Sequence, residues 1–339
     1  MQYIHTYATQ NDYDLDDGKG YPNVGYVEGD DVVIYMDEEP ITDWSKQYLT
    51  FEAISAGTFS FNKPCSYSMD RGNTWTSLGT NESTPTVNAG EKIMFKHNET
   101  SYGSTNYPVF SATADFNAMG NPYSIISGDS FTAVTSVPQY GLKGLFSGNT
   151  HIISAENLKL PLMTLNAVNC YEGMFSGCTS LTTAPELPAA TLSSYCYECM
   201  FAGCTSLTTA PALSSTSLAS RCYEYMFKGC TSLTTAPALP ATSLTANCYS
   251  YMFAGCTSLK NAPVLNASKL VSYCYSHMFE GCTSLSYIKM ICTSGSTNSA
   301  LNSWVKNVSS RGTFVKKRSM SLSTGISGIP SGWTVSNVS

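Results

Sequence analysis

The chain of 339 residues carries 18 Lys+Arg against 24 Asp+Glu, a net charge of −6, with 12% of residues charged and 42% hydrophobic. This composition supplies an ample core and excludes wholesale disorder, and the length allows two or three domains. No basic stripe is available to neutralise phosphates, which argues against nucleic acid as a partner. The four histidines, His5, His97, His151 and His277, are scattered. Neither a zinc-hydrolase site nor a His-based triad is visible, so the sequence reads as a non-enzymatic binding or structural protein without a cofactor.

Residues 1–45 hold eleven acids against Lys19, a net of −10, which leaves +4 on the remainder. Such a leader is expected either to dock on a basic partner surface or simply to be solvated. Asn23-Val-Gly-Tyr-Val-Glu28 and Asp31-Val-Val-Ile-Tyr-Met36 are strand-like and joined by Glu28-Gly-Asp30, a hairpin signal. Asp12, Asp14, Asp16 and Gly18 have part of the spacing of a calcium loop, but Asp17 replaces the turn glycine and Asn23 the final glutamate. The start lacks the basic and apolar regions of a signal peptide, and no stretch approaches the ~18–20 apolar residues that span a bilayer. The expectation is a protein made in a cytoplasm, not exported by the usual route and not inserted in a membrane.

Residues 46–118 read as a small β-sandwich-like domain. Phe51–Phe61 alternates at its end and turns at Asn62-Lys-Pro64. Ser68-Met-Asp70-Arg-Gly72-Asn-Thr74-Trp75 fits the Asp-box pattern S-x-D-x-G-x-T-W, in which the Asp and hydroxyl groups tie off a hairpin over the Trp. Asp-boxes are known from sialidases, but one copy without an arginine trio predicts a structural clamp.

Beyond residue 118 the sequence repeats. Cys170, Cys196, Cys222, Cys248 and Cys274 are spaced by 26, as are Cys178, Cys204, Cys230, Cys256 and Cys282, in a unit C-Y-x-x-M-F-x-G-C-T-S-L. We divide this part into an N-terminal cap with a degenerate first unit (119–169), five repeats (170–299) and a C-terminal cap (300–339). In the degenerate unit, Tyr140 to Thr150, Asn149 takes the place of the second Cys.

Within a unit, Tyr197 and Phe201, like Cys196 and Met200, stand at i, i+4, which predicts a short helical turn ended by Gly203. Ser206-Leu-Thr-Thr-Ala210 is β-prone and stops at Pro211. Stacked units would bury a column of Met174, Phe175, Cys178, Met200, Phe201, Cys204, Met226, Phe227, Cys230, Met252, Phe253, Cys256, Met278, Phe279 and Cys282, their strands pairing in a narrow parallel sheet. Cys196-x-x-Cys199 lacks the second pair that a four-cysteine zinc site needs. The odd count of thirteen cysteines and Asn149 in the same column favour reduced thiols as packing groups over disulfides between rungs.

The candidate binding surface is aromatic. Tyr171, Tyr197, Tyr223, Tyr249 and Tyr275 form one column, and Tyr225, Tyr251 and His277 stand in a variable column beside it, flanked by Glu172, Glu198 and Glu224. The tyrosine column either stacks on sugar rings or packs between rungs. Thr182, Thr183, Thr208, Thr209, Thr234 and Thr235 line the other candidate face, the sheet.

At M-F-x-G-C-T-S-L the unit resembles the BspA-type (Treponema-type) leucine-rich repeat, over residues 141–299, and Gly312-Thr-Phe-Val-Lys316 with Gly328-Ile-Pro-Ser-Gly-Trp333 resembles the C-terminal cap of such proteins. The resemblance implies a mainly β fold with short helices: an N-terminal β region and small β-sandwich, then a capped leucine-rich-repeat solenoid. It also implies one of two settings. One is the virion of a tailed phage, as a fibre or capsid-decoration subunit docked on other virion proteins through residues 1–45, homo-oligomeric and touching a host glycan or protein. The other is a bacterial cell-surface adhesin.

Overall fold

The computed structural model describes residues 3–7, 26–29, 32–37, 43–99, 101–292 and 299–338. The calcium-loop residues Asp12, Asp14, Asp16, Asp17 and Gly18 lie outside them. The chain divides into two compact units, Met1–Asp43 and Trp44–Ser339. In the first, β1 (Tyr3–Tyr7), β2 (Tyr26–Gly29) and β3 (Val32–Asp37) form an antiparallel sheet of order β1-β3-β2. Strands β2 and β3 pair antiparallel with Gly29 opposite Val32, while Asp30 of the Glu28-Gly-Asp30 signal lies outside the described residues.

The second unit begins with two facing sheets. The larger contains β4 (Leu49–Ala53), β6 (Cys65–Ser68), β7 (Thr76–Leu78), β8 (Lys92–Lys96), β10 (Phe116–Met119) and β11 (Ile152–Ser154), in the order β11-β10-β4-β8-β6-β7. The smaller pairs β5 (Phe59–Phe61) with β9 (Phe110–Ala112). Phenylalanines fill the space between them: Phe51 lies 5.2 Å from Phe59 and 5.0 Å from Phe110, ring to ring. The Asp-box hairpin is tied as its residue types require. Asp70 accepts from the amide and hydroxyl of Thr74 at 2.9 and 2.6 Å, and Trp75 Nε1 donates to the Gly72 carbonyl at 3.0 Å. Those bonds from Thr74, helped by the Ser68 hydroxyl, hold the Asp70 carboxyl down to about 2.

From Tyr140 onward the backbone repeats a pattern that is not helical. Every fourth residue has a positive φ: Asn169, Gly173 and Gly177 in one unit, Tyr195, Cys199 and Gly203 in the next, with values of 50 to 77° through to Asn307. Each such residue closes a four-residue turn, for example Met174 N to Tyr171 O at 3.2 Å and Cys178 N to Phe175 O at 3.1 Å. The alternate amides point out of the turn. Tyr171, Gly173, Phe175 and Gly177 donate to the carbonyls of Cys196, Glu198, Met200 and Ala202 in the next rung, at 2.7–3.1 Å. The expected helical turn is therefore corrected: left-handed residues divert half of the amides from within the unit to its neighbour. The i, i+4 side-chain ridges survive, because the turn repeats every four residues.

The same pairing runs from rung 140–149 through the five cysteine repeats to 299–308, where Tyr275, His277, Phe279 and Gly281 donate to Ala300, Asn302, Trp304 and Lys306. Residues 299–308 thus stack as a further rung, within the stretch that the sequence assigns to a cap. Phe146, Phe175, Phe201, Phe227, Phe253 and Phe279 stack at 5.3–5.8 Å, and Trp304 follows at 6.0 Å. Met174, Met200, Met226, Met252 and Met278 and both cysteine columns are buried beside them.

On the other side of each rung the expected parallel sheet is reduced to isolated bridges such as Ser154↔Thr183 and Thr209↔Thr235. Pro185, Pro211, Pro237 and Pro263 lie just beyond and cannot donate. Only at the far end does a true parallel sheet form, from β12 (Tyr287–Met290), β13 (Thr313–Lys317) and β14 (Thr334–Val338). Next to it Trp304 Nε1 donates to Gly328 O at 2.8 Å and Val305 N to Ile326 O at 3.2 Å.

The two parts of this unit share one core. Strand β11, from the region after residue 118, joins the edge of the β-sheet beside β10, and Phe146 touches both Phe51 at 5.8 Å and Phe175 at 5.3 Å. A separate core for residues 46–118 is therefore not what forms. The open end of the first rung is apolar and is covered by the sandwich phenylalanines.

Because each rung contacts its neighbours in one fixed register, removal of residues 222–247 should leave a folded protein with a single unfolding transition. Phe227→Asp should cost about 4 kcal/mol or more, from a lost ring and an unpaired buried charge. Denaturant unfolding of both variants checks this.

Candidate functional site

The periodic turn sorts side chains into columns, and the columns differ in exposure. Tyr171, Tyr197, Tyr223, Tyr249 and Tyr275, which the sequence offers as a sugar-binding ladder, are only 1–2% exposed. Their rings stack on one another at 5.7–5.9 Å. This corrects their candidacy as surface residues. Each follows the first cysteine of its unit, on the inner side of the turn, and its polar end is enclosed. Tyr171 shares a hydrogen bond of 2.5 Å with Tyr123, whereas the hydroxyls of Tyr197 and Tyr249 are buried without a hydrogen-bond partner among the described residues.

The thiols are enclosed as well. All thirteen cysteines are free, and twelve are buried. The second cysteine column is a ladder of donors: the Sγ atoms of Cys178, Cys204, Cys230, Cys256 and Cys282 donate to the carbonyls of Phe146, Phe175, Phe201, Phe227 and Phe253, at 3.0–3.1 Å. Asn149 begins the column and donates to Phe110 O at 3.3 Å. Burial pushes Cys178, Cys230 and Cys282 far above the ordinary thiol range, so they are neutral donors and not nucleophiles.

What reaches the surface is the variable column. Tyr225, Tyr251 and His277 are partly exposed and stack face to face, with centroids 4.7 and 4.3 Å apart. All three have positive φ, as do Gly173, Cys199 and Ser303 in the same column, and none of the six is β-branched. Charged groups line the stack. Lys228 Nζ lies 5.1 and 5.7 Å from the rings of Tyr225 and Tyr251. Glu280 accepts from His277 Nδ1 at 2.6 Å and from Lys306 at 2.8 Å. Lys228, Glu280 and Lys306 share one repeat position, so the 26-residue alignment could have found them. Tyr107, whose ring overlies Gly144 at the start of the column, lies outside the repeats and has no such signal.

Glu172, Glu198 and Glu224 run alongside. Glu172 pairs with Lys143 at 3.0 Å and Glu224 with Arg221 at 3.2 Å, while Glu198 between them forms no ion pair among the described residues. Burial first, then the like charges of Glu172 and Glu224, push Glu198 up to about 7. The threonines Thr182, Thr183, Thr208, Thr209, Thr234 and Thr235 are exposed on the opposite, bridge-bearing side. Among the described residues, no group of three metal-ligating side chains comes together. An open cleft of about 560 Å³ in the β-region is lined by Lys96, His97, Asn98 and Asp129, but Lys96 and Asp129 satisfy each other at 2.8 Å.

Compared with known proteins, residues 169–307 match the family described as BspA type leucine rich repeat region, in six copies. That stretch is accordingly a BspA-type leucine-rich-repeat region, and its match runs through the rung that follows the last cysteine repeat. No curated protein and no solved structure matches the chain.

A carboxyl raised in the folded state binds a proton that the unfolded chain releases. Stability should therefore fall as pH rises from about 4.5 toward 7 through this group. Glu198→Gln should flatten that slope and raise the melting temperature at pH 8, as thermal unfolding across pH 4–8 would show.

Proposed function

We propose that this protein is a non-enzymatic surface-binding protein: a capped solenoid of BspA-type repeats whose turn face attaches to a glycan or protein on another surface. The observation that carries this reading is the exposed stack Tyr225–Tyr251–His277, edged by Lys228, Glu280 and Lys306, on a backbone that is otherwise uniform from rung to rung. Exposed rings with charged borders resemble the anchors of protein interfaces. They are not needed for the core, which has its own tyrosine and phenylalanine columns. Replacing Tyr225 and Tyr251 together by Ala should lower binding to target cells by tenfold or more and leave the circular dichroism and melting temperature nearly unchanged. Retained binding would refute this reading.

As the setting we propose the particle of a tailed bacteriophage, as a fibre or capsid-decoration subunit, homo-oligomeric and docked on neighbouring virion proteins through residues 1–45. Two features favour it over a bacterial cell-surface adhesin. The thiol ladder uses cysteine as a reduced hydrogen-bond donor, which suits assembly in a reducing cytoplasm. Residues 1–45 carry −10 against +4 on the remainder, an asymmetry suited to docking on a basic surface. Neutralising the acids of residues 1–45 to Asn and Gln should abolish incorporation into particles, measured by mass spectrometry of purified virions, while cell binding persists. Recovery of the wild-type protein from bacterial envelopes and not from particles would favour the adhesin.

A further inference from the structure

The ring stack uses up its own inner faces. Tyr225 and Tyr251 lie 4.7 Å apart with planes 22° from parallel, and Tyr251 and His277 lie 4.3 Å apart at 2°. A ligand can meet the edges of this stack or the outer face of an end ring. At the His277 end, Asn302 Nδ2 lies 3.4 Å from Nε2, and Glu280 and Lys306 crowd the ring.

The Tyr225 end is different. Lys228 Nζ is nearly equidistant from the centroids of Tyr225 and Tyr251, so it sits level with the gap between the rings and not over the outer face of Tyr225. The next two residues of the column are Cys199 and Gly173. A Cβ built at Gly173 would meet only Ser176 Cβ, at 3.7 Å, so the space above it is open. Beyond it, Tyr107 overlies Gly144, where a Cβ would collide with the Tyr107 ring. The column therefore reads ring, two small residues, then three rings. Ser176 and Ala202, also small, flank the interruption on one side, and the partly exposed carboxyls of Glu172 and Glu198 run along it, while Glu224 is buried against Arg221.

We propose that this two-rung notch between Tyr107 and Tyr225 seats a neutral saccharide, one pyranose laying its C–H face on Tyr225 and donating a hydroxyl hydrogen to Glu198. The proposal rests on the surface-binding reading above and names its ligand class. Rungs spaced by about 4.8 Å leave a gap that admits a pyranose edge-on between the two walls. An aromatic face takes the apolar side of the sugar, and the Glu198 carboxyl keeps acceptor oxygens whether or not it is protonated, which suits a ligand rich in hydroxyl donors. In its ionised form Glu198, which pairs with no cation among the described residues, repels sialylated or sulfated glycans.

Cys199→Tyr tests the notch by filling it. Tyrosine already occupies this left-handed position at 225 and 251, so the variant should fold and extend the stack by one ring. The full chain and the variant are applied to an array of immobilised glucose, galactose, mannose and N-acetylglucosamine oligomers, with sialylated and sulfated counterparts. The expected result is wild-type binding to neutral oligomers, a tenfold or greater loss in Cys199→Tyr at unchanged melting temperature, and a severalfold loss in Glu198→Gln. Binding undiminished in Cys199→Tyr, binding to anionic glycans alone, or no saccharide bound would each overturn the notch. Any of these, combined with loss of cell binding in the Tyr225 and Tyr251 double variant, would leave the surface-binding reading standing.

Discussion

One backbone constraint governs the repeat region: a residue in the left-handed conformation at every fourth position. It closes a four-residue turn, which satisfies half of the amides locally, and it swings the alternate amides outward along the stacking axis. A rung so built has no complete hydrogen-bond partner within itself and must stack to satisfy its backbone. The stacking then fixes register, because amides at 171, 173, 175 and 177 meet carbonyls at 196, 198, 200 and 202 and no others. Columns of identical side chains are the consequence. Rings at 5.3–5.9 Å in the phenylalanine and tyrosine columns are as far apart as the rungs and their tilt dictate, in the range where offset aromatic pairs each contribute about 0.5–1.5 kcal/mol.

The same constraint explains why the interior tolerates so many polar hydrogens. The Phe carbonyl of each rung accepts a turn amide, such as Cys178 N on Phe175 O, and keeps a second lone pair for the thiol of the next rung. Cysteine is small enough for the column and can donate; valine would fit and leave that lone pair empty. Asn149 supplies an amide donor at the first position, where the acceptor is Phe110 of the sandwich instead of a repeat phenylalanine. The tyrosines are less well served. Tyr171 has Tyr123, but the buried hydroxyls of Tyr197 and Tyr249 have no partner among the described residues, a desolvation cost of about 1–3 kcal/mol each. The ring stacking offsets that cost, which explains how the column persists through five units.

How much of this was legible follows from which signals are periodic. The 26-residue spacing of Cys170 through Cys274 identifies the repeat and its apolar column without any structure. The turn was misread as helical because i, i+4 spacing is shared by both. The distinguishing signal is its persistence: Cys196, Met200 and Cys204 are all buried at a strict spacing of four, whereas an α-helix would drift by about 40° at each step. The inward direction of Tyr197 is set by that turn and could not be read from residue type. Rung 299–308 does not stand out by its spacing because Ala300 replaces the first Cys and Trp304-Val305 replaces Met-Phe, although the family match and the backbone both continue through it. Tyr107 and β11 belong to long-range packing between the sandwich and the first rung, for which the sequence carries no period.

A uniform backbone also determines where recognition can arise. Phenylalanine, the inner tyrosine, both cysteines and the glycine are held by the stack itself. Variation is left to the positions of Glu198, Cys199 and Ala202, which reach the surface in some rungs and are buried in others, as at Glu224, Ser250 and Ala254. The left-handed position excludes β-branched residues among the rungs described, and Gly, Cys, Tyr, His and Ser alternate there. Neighbouring choices are nonetheless coupled: two successive rings close against each other, and two successive small residues open a notch. The binding surface is therefore written by the order of large and small residues along one column, and not by any single rung. In this chain that order brings three rings, two small residues and a carboxyl raised by burial and like charges onto the same strip.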